Sequence, residues 1–217
     1  MGLIFFSQPE ADYEFATRVF ASTKQIQRSD VVQDRLLPAF FLLNRYKLRL
    51  PNDTSGLHLL SLVCERLGHL SFGAEVVERA IGILESAYEE TEDPEVERKY
   101  TIANVTLGRL KLSQGEYSDS IVLFENAMGL LAEKDAEDKP TQALKVQAHL
   151  GLGLAHFFQG NLEAALVFLE DGFACAAEDL LLRGHITIVL AQTLWAIGTE
   201  EAREKAKSLL LEWWVES

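Results

Sequence analysis

The chain has 217 residues, of which 48% are hydrophobic and 24% charged, an ordinary composition for a globular protein. Its net charge of −13 excludes the basic footprint that tight binding to a nucleic-acid backbone requires, and it argues against an anionic membrane surface. The two cysteines, Cys64 and Cys175, are too few and too far apart for a disulfide or metal framework, which fits a reducing compartment.

The first six residues are apolar but lack the basic region and the cleavage site of a signal peptide. No apolar run approaches the roughly 18 residues of a membrane-spanning helix. We therefore expect no membrane segment and a location in the cytoplasm or nucleus.

Helical spacing of apolar residues predicts about ten helices, and no stretch alternates as a strand would. The predicted helices span residues 9–27, 30–50, 54–67, 70–88, 94–113, 117–132, 140–159, 162–176, 180–197 and 200–215. Pro38 lies near the start of the second helix, which is expected either to begin late or to bend there. Predicted N-caps are Asp53 or Thr54, Asp93, Asp138 and Asn161. The charged stretches 89–93 and 133–139 are predicted to be linkers. The alternative hypothesis is that they bind a basic segment of a partner protein.

The stretch from Asn104 to Met128 predicts a tight pair of helices. Gly108 on the first helix and Ser120 on the second are small enough for the two backbones to approach closely. Gly115 can adopt the left-handed backbone conformation that ends a helix. Phe124 and Ala127 continue a stripe that one helix pair cannot bury alone, so further pairs are expected.

The pattern recurs along the chain, with turn glycines at Gly68, Gly115, Gly160 and Gly198. This spacing resembles the tetratricopeptide repeat (TPR), although the hairpins are longer than the standard repeat of about 34 residues. The resemblance implies an all-α, right-handed α-α superhelix, a TPR-like solenoid of about ten antiparallel helices forming one domain over residues 1–217. Gly153 and Ala165 are expected to face each other where two helices cross.

No catalytic constellation is found, so an enzyme is not expected. Gly151 and Gly153 lack the third glycine and the preceding strand of a nucleotide-binding loop. His149 and His156 lie two turns apart on one helix, and His185 is the only candidate for a third metal ligand. We expect no metal site and no cofactor.

The usual ligand of this fold is a peptide or helix on the concave face, which the first helix of each hairpin forms. The residues predicted to line that face are Ile102, Val105, Arg109, Leu112, Leu150, Leu154, Phe157, Phe158, Ile188, Gln192 and Trp195. Of the Lys, Asn and Arg residues that clamp a peptide carboxylate in chaperone-binding repeats, only Arg109 is present. An apolar segment or a neighbouring helix is the more natural occupant. Alternatively, these residues are core covered by the long helices.

The last predicted helix has apolar residues nearly all round its axis. Ala202, Ala206, Leu209, Leu210 and Trp213 can cover the preceding helix. Leu211, Trp214 and Val215 then remain as an exposed end surface, expected to be buried by another copy, a further repeat or a partner. The alternative is a frayed terminus. We expect the chain to be a piece of a longer solenoid.

Two sequence segments, LGRLKLSQGEYSDSIVLFENAM and AHLGLGLAHFFQGNLEAALVFLEDG, resemble the fungal TPR scaffold subunits of the superkiller complex. The resemblance covers about residues 103–195. It implies a non-enzymatic platform that holds a DExH RNA helicase and a WD-repeat propeller for exosome-linked 3′-to-5′ mRNA decay. The other hypothesis is a stand-alone TPR adaptor or co-chaperone that binds an apolar peptide or helix.

Overall fold

The structure is a computed structural model that describes residues 8–24, 26, 28–91, 93–132, 134, 138–176 and 180–216. Within these residues the chain forms ten α-helices and no strand. They are α1 (Pro9–Thr23), α2 (Ser29–Arg49), α3 (Thr54–Leu67), α4 (Leu70–Thr91), α5 (Pro94–Gln114), α6 (Tyr117–Leu131), α7 (Lys139–Phe158), α8 (Leu162–Cys175), α9 (Leu180–Ile197) and α10 (Glu200–Glu216). The all-α prediction is confirmed. The predictions for residues 1–6 lie outside the described residues.

Four glycines end the first helix of successive hairpins, as the sequence predicts. Gly68, Gly115, Gly160 and Gly198 follow α3, α5, α7 and α9 with φ angles of 77°, 82°, 80° and 81°. A side chain with a Cβ is disfavoured in this left-handed region, which is why glycine is needed at these four positions.

Aspartates cap three helices at their N-termini. The Asp53 carboxylate accepts a hydrogen bond from the Gly56 amide at 2.8 Å and another from the Tyr46 hydroxyl at 2.8 Å. Asp138 accepts from the Thr141 amide at 3.1 Å, and Asp93 from the Glu95 amide at 2.9 Å. These caps satisfy amides that have no partner within the helix, and they confirm the predicted helix starts.

Three local predictions are corrected. Asn161 precedes α8, but its side chain makes no cap and donates instead to the Gln159 side chain at 3.2 Å. Helix α2 begins at Ser29 and continues through Pro38, so it does not begin late, whereas a bend at Pro38 stays a prediction. Helix α4 extends to Thr91, so Glu89 and Glu90 are helical and do not belong to a linker. A run of glutamates is compatible with a helix, because glutamate has good helix propensity.

The chain divides into two compact units, Met1–Thr106 and Leu107–Ser217, with the boundary inside α5. In the first unit, α1, α2, α3 and α4 pack in sequence around a core that includes Leu36, Leu43 and Leu60. In the second unit, α6 to α10 pack in sequence, and α7 also contacts α9. The single domain over residues 1–217 stays a prediction.

Small residues bring the helices of the second unit close together. The Ser120 hydroxyl donates to the Gly108 carbonyl at 2.9 Å, which confirms their predicted contact. The side chain nearest to Gly153 belongs to Leu169 and not, as predicted, to Ala165. A Cβ on Gly153 would lie 2.5 Å from Cγ of Leu169, one helical turn further along α8. Leu169 fills the space beside Gly153 because its side chain is larger than that of Ala165.

Helix α9 corrects the expectation that no apolar run approaches the length of a membrane span. Leu180–Ile197 is 18 residues long and, by length and composition alone, apolar enough to cross a membrane. The run is easily missed because Arg183 and His185 interrupt it. Its apolar character has a structural reason, since Ile186, Leu190 and Leu194 are buried in the core that α9 shares with α7, α8 and α10.

Candidate functional site

One side of α9 carries a row of exposed side chains in the second unit. The row consists of Leu181, His185, Ile188, Gln192 and Trp195, spaced four, three, four and three residues apart. This spacing places them on one face of the helix. The residues between them are buried or half-buried, because α7, α8 and α10 cover the other sides of α9. The row is therefore open to solvent along the whole helix.

Helix α7 lies beside α9 and adds half-buried apolar residues with the same spacing. Leu150, Leu154 and Phe157 are half-buried, and Phe158 is exposed at the end of the helix. Residues Leu150, Leu154, Phe157, Phe158, Leu181, His185, Ile188, Gln192 and Trp195 are called the α7–α9 stripe from here on. Seven of them were predicted from the sequence as lining residues. Leu181 and His185 were not, although the four–three spacing back from Ile188 would have found both.

Aromatic contacts hold two exposed rings of the stripe, Phe158 at the C-terminal end of α7 and Trp195 near the C-terminal end of α9. The Phe158 ring stacks on Tyr117, with ring centroids 5.5 Å apart and planes at 16°. The Arg203 guanidinium lies over the Trp195 ring, 5.6 Å from its centroid. These contacts restrict the two exposed rings, so less side-chain entropy is lost when a ligand covers them.

Arg109 and Leu112 of α5 were also predicted to line the face, and both are half-buried. The Arg109 guanidinium donates to the side-chain oxygen of Gln147 on α7 at 3.4 Å. Arg109 therefore lies where α5 meets α7, beside the stripe. It is the one member of the predicted set with a fixed positive charge.

Two predicted lining residues belong to the first unit and are treated separately. Ile102 is half-buried and lines a cavity of about 220 Å³ together with His58 and Leu62. Val105 is only 1% exposed, so its assignment to a binding face is corrected. The prediction failed at Val105 because helical spacing alone does not show which of two neighbouring faces other helices cover.

The histidines do not converge. His149 and His156 both turn toward Phe168 of α8, with ring centroids 6.4 Å and 5.3 Å away, whereas His185 is exposed on α9. Burial lowers the pKa of His149 below its ordinary value of 6.5, and the Asp171 carboxylate offsets only part of this effect. Among the described residues no group of three or more His, Cys, Asp or Glu could hold a metal ion.

The two thiols are free. Cys64 is fully buried, and this burial raises the pKa of its thiol to about 12. A thiol with that pKa carries almost no thiolate at neutral pH, so Cys64 is a packing residue.

The end of α10 forms a second apolar surface. Leu211, Trp214 and Val215 are 66%, 81% and 83% exposed, whereas Ala202 and Ala206 are buried. The half-buried Trp213 packs on α9, where a Cβ on Gly184 would lie 2.6 Å from the indole ring. Leu210 is 44% exposed and so contributes less to covering α9 than the sequence predicts.

Consecutive helical hairpins with left-handed turn glycines and small-residue contacts define an all-α fold of the TPR-like solenoid class. No family model matches the chain. Its curated relatives include Superkiller protein 3 of Saccharomyces cerevisiae, which is 25% identical over 180 residues, or 83% of this chain and 12% of the relative. Superkiller protein 3 of Schizosaccharomyces pombe is 26% identical over 174 residues, which cover 80% of this chain and 12% of that protein. The chain thus resembles Superkiller protein 3 and spans about 12% of the length of these relatives.

Solved structures with the same fold include TPR-like repeats of a Podosopora anserina protein described as a kinesin light chain. The match has a TM-score of 0.68 and 16% identity, and it covers 97% of this chain and 98% of that one. MamA from residue 41 to its end, from Desulfovibrio magneticus RS-1, matches with a TM-score of 0.62 and 12% identity, covering 94% of this chain and 92% of that chain. At these identities the likeness establishes the fold alone.

Proposed function

We propose that this chain is a non-enzymatic segment of an assembly scaffold and that the α7–α9 stripe holds a protein partner. The observation that carries the proposal is the row of exposed residues on α9, where Ile188 and Trp195 are 47% and 56% exposed. A soluble protein gains little by exposing such a row unless a partner covers it. The TPR fold and the likeness to Superkiller protein 3 support the same function.

The likeness also suggests the assembly. The partners we propose are a DExH RNA helicase and a WD-repeat propeller, in a cytoplasmic complex that feeds mRNA to the exosome for 3′-to-5′ decay. In this arrangement the helicase handles the RNA and the acidic scaffold binds no RNA tightly.

Co-expression of the full-length scaffold with the helicase and the WD-repeat subunit of the same organism tests this function. We expect all three to copurify, and we expect the double substitution Ile188→Glu with Trp195→Glu to reduce recovery of at least one partner. The matched control is Val167→Glu, which adds a charge at an exposed valine of α8 away from the stripe. If neither subunit copurifies with the wild type, the assembly proposal is wrong and the stand-alone adaptor takes its place.

A further inference from the structure

Charge is strongly segregated between the helices of the second unit. The chain contains 33 Asp and Glu residues, yet α7, α9 and residues 107–114 of α5 contain none. On the helices of this unit the carboxylates lie on α6 (Asp119 and Glu125), α8 (Glu163, Glu170 and Asp171) and α10 (Glu200, Glu201, Glu204, Glu212 and Glu216), and Glu116 and Asp138 directly precede α6 and α7. Helices α7 and α9, which carry the stripe, and the part of α5 in this unit thus have no negative side chains in a protein of net charge −13.

Two arginines lie beside the stripe, one on α5 and one on α10. Arg109 lies on the α5 side, next to Gln147, and Arg203 covers the Trp195 ring at the α10 end. At the α5–α6 turn the Glu116 carboxylate is paired with Lys111 at 2.8 Å, which offsets its charge. The stripe is therefore apolar, with one positive charge beside it at Arg109 and another at Arg203.

We propose that the α7–α9 stripe takes an acidic amphipathic segment, one whose apolar side chains recur every three or four residues with Asp or Glu between them. This inference rests on the proposed scaffold function and specifies the chemistry of the partner. The apolar side chains of such a segment cover Ile188 and Trp195, and its carboxylates meet Arg109 and Arg203. A basic segment would meet like charge at Arg109 and Arg203, which disfavours it in the complex.

The net negative charge of the protein does not oppose this choice. At physiological salt, charges more than about 8 Å apart are largely screened, so the groups next to the stripe decide which sign it prefers. RNA also carries negative charge, but it offers no aliphatic side chains to cover the stripe. A peptide therefore fits the surface better than a nucleic acid.

Fluorescence anisotropy with the 217-residue chain tests the proposal. The probe is a synthetic fluorescein-labelled helical peptide with Leu at every third or fourth position and Glu between, and its counterpart has Lys in place of every Glu. We expect Ile188→Ser to weaken binding of the acidic peptide by roughly tenfold, as loss of a central apolar contact does. Arg109→Gln should weaken it severalfold and reduce its dependence on salt.

Val167→Ser is the matched control, because it makes the same kind of change at an exposed residue of α8 and should leave binding unchanged. The Lys peptide can bind the acidic helices non-specifically, so its binding should not respond to Ile188→Ser. The proposal is overturned if Ile188→Ser weakens the Lys peptide as much as the Glu peptide, if the Glu peptide does not bind, or if a 20-nucleotide RNA displaces it. Copurification with the helicase and propeller is a separate readout, so failure here and failure of the proposed function are distinguishable.

Discussion

The hydroxyl of Ser120 donates a hydrogen bond to the carbonyl oxygen of Gly108 at 2.9 Å, inside the hairpin of α5 and α6. Ser120 is fully buried, and it stands where TPR proteins usually have alanine. The contact is short because neither residue has a large side chain. Serine therefore preserves the close approach and adds a hydrogen bond.

Substitutions at Ser120 should separate the contribution of its hydrogen bond to stability from that of the close helix contact. We expect Ser120→Ala to lower the free energy of unfolding by about 0.5–1.5 kcal/mol, the usual net value of one hydrogen bond. Ser120→Val should cost about 1–3 kcal/mol, because the added methyl groups overpack the crossing. Urea unfolding followed by circular dichroism measures both. Ser113→Ala, at an exposed helical serine, corrects for the helix propensity of alanine. A Ser120→Val variant as stable as the wild type would contradict the close contact.

Glycines in the helices should respond to substitution according to the space around them. A Cβ on Gly151 would overlap the Phe124 ring, and one on Gly153 would lie 2.5 Å from Leu169, whereas Gly82 and Gly129 have no atom within 4 Å. We expect Gly151→Ala and Gly153→Leu each to cost about 1–3 kcal/mol. Gly82→Ala and Gly129→Ala should instead stabilise the protein by up to about 1 kcal/mol. Thermal melts that rank the four variants differently would refute this account of the packing.

Local signals in the sequence predict much of this fold. The turn glycines, the aspartate caps and the Gly108–Ser120 contact depend on residues close together in the chain, and all three predictions are confirmed. What the sequence does not show is which helix face a neighbour covers. Val105 and Leu210 were misjudged for that reason, because burial depends on residues far away in sequence. The partner of Gly153 was missed because one turn of α8 separates Ala165 from Leu169, and both fit the spacing.

An ion pair joins α1 to α2 in the first unit. The Arg45 guanidinium binds the Asp12 carboxylate at 2.8 Å and 2.6 Å, and Asp12 is almost fully buried. Arg45→Met leaves this buried carboxylate without its bidentate partner. We expect it to lower the free energy of unfolding, by less than the loss of a fully buried pair would, because Arg45 is partly exposed. In urea unfolding the double substitution Asp12→Leu with Arg45→Met should recover most of the loss. A double variant as unstable as Arg45→Met alone would argue against this cause.

His149 should make the protein less stable in mild acid. Burial lowers the pKa of the folded His149 below its ordinary value of 6.5, and this outweighs the opposite effect of Asp171. The unfolded chain therefore takes up a proton at a higher pH than the folded chain does. The free energy of unfolding should fall as the pH drops through 6.5 and level off only below the lowered pKa.

Urea unfolding between about pH 5 and pH 8 measures this dependence, over the range in which histidine usually titrates. His149→Gln should flatten the profile. A profile that His149→Gln leaves unchanged would remove the basis for assigning the pH dependence to burial of His149.

The surface at the end of α10 should mediate association. With Leu211, Trp214 and Val215 exposed, we expect the isolated chain to increase in mass with concentration in light scattering. The double substitution Leu211→Glu with Trp214→Glu should abolish the increase. Val122→Glu with Val167→Glu, at exposed valines of α6 and α8, should not. A wild type that stays monomeric, with its tryptophan fluorescence quenched by iodide equally at all concentrations, would count against an interface here.

The position of Phe124 has a consequence for how the second unit folds. Its ring is fully buried and faces bare backbone at Gly108 of its own hairpin and at Gly151 of the next one. The hairpin of α5 and α6 therefore lacks a complete interior until α7 has docked against it. Cooperativity in such an array arises from coupling between nearest neighbours. A truncation at the α6–α7 connection would thus uncover the face of the Phe124 ring that Gly151 of α7 otherwise covers.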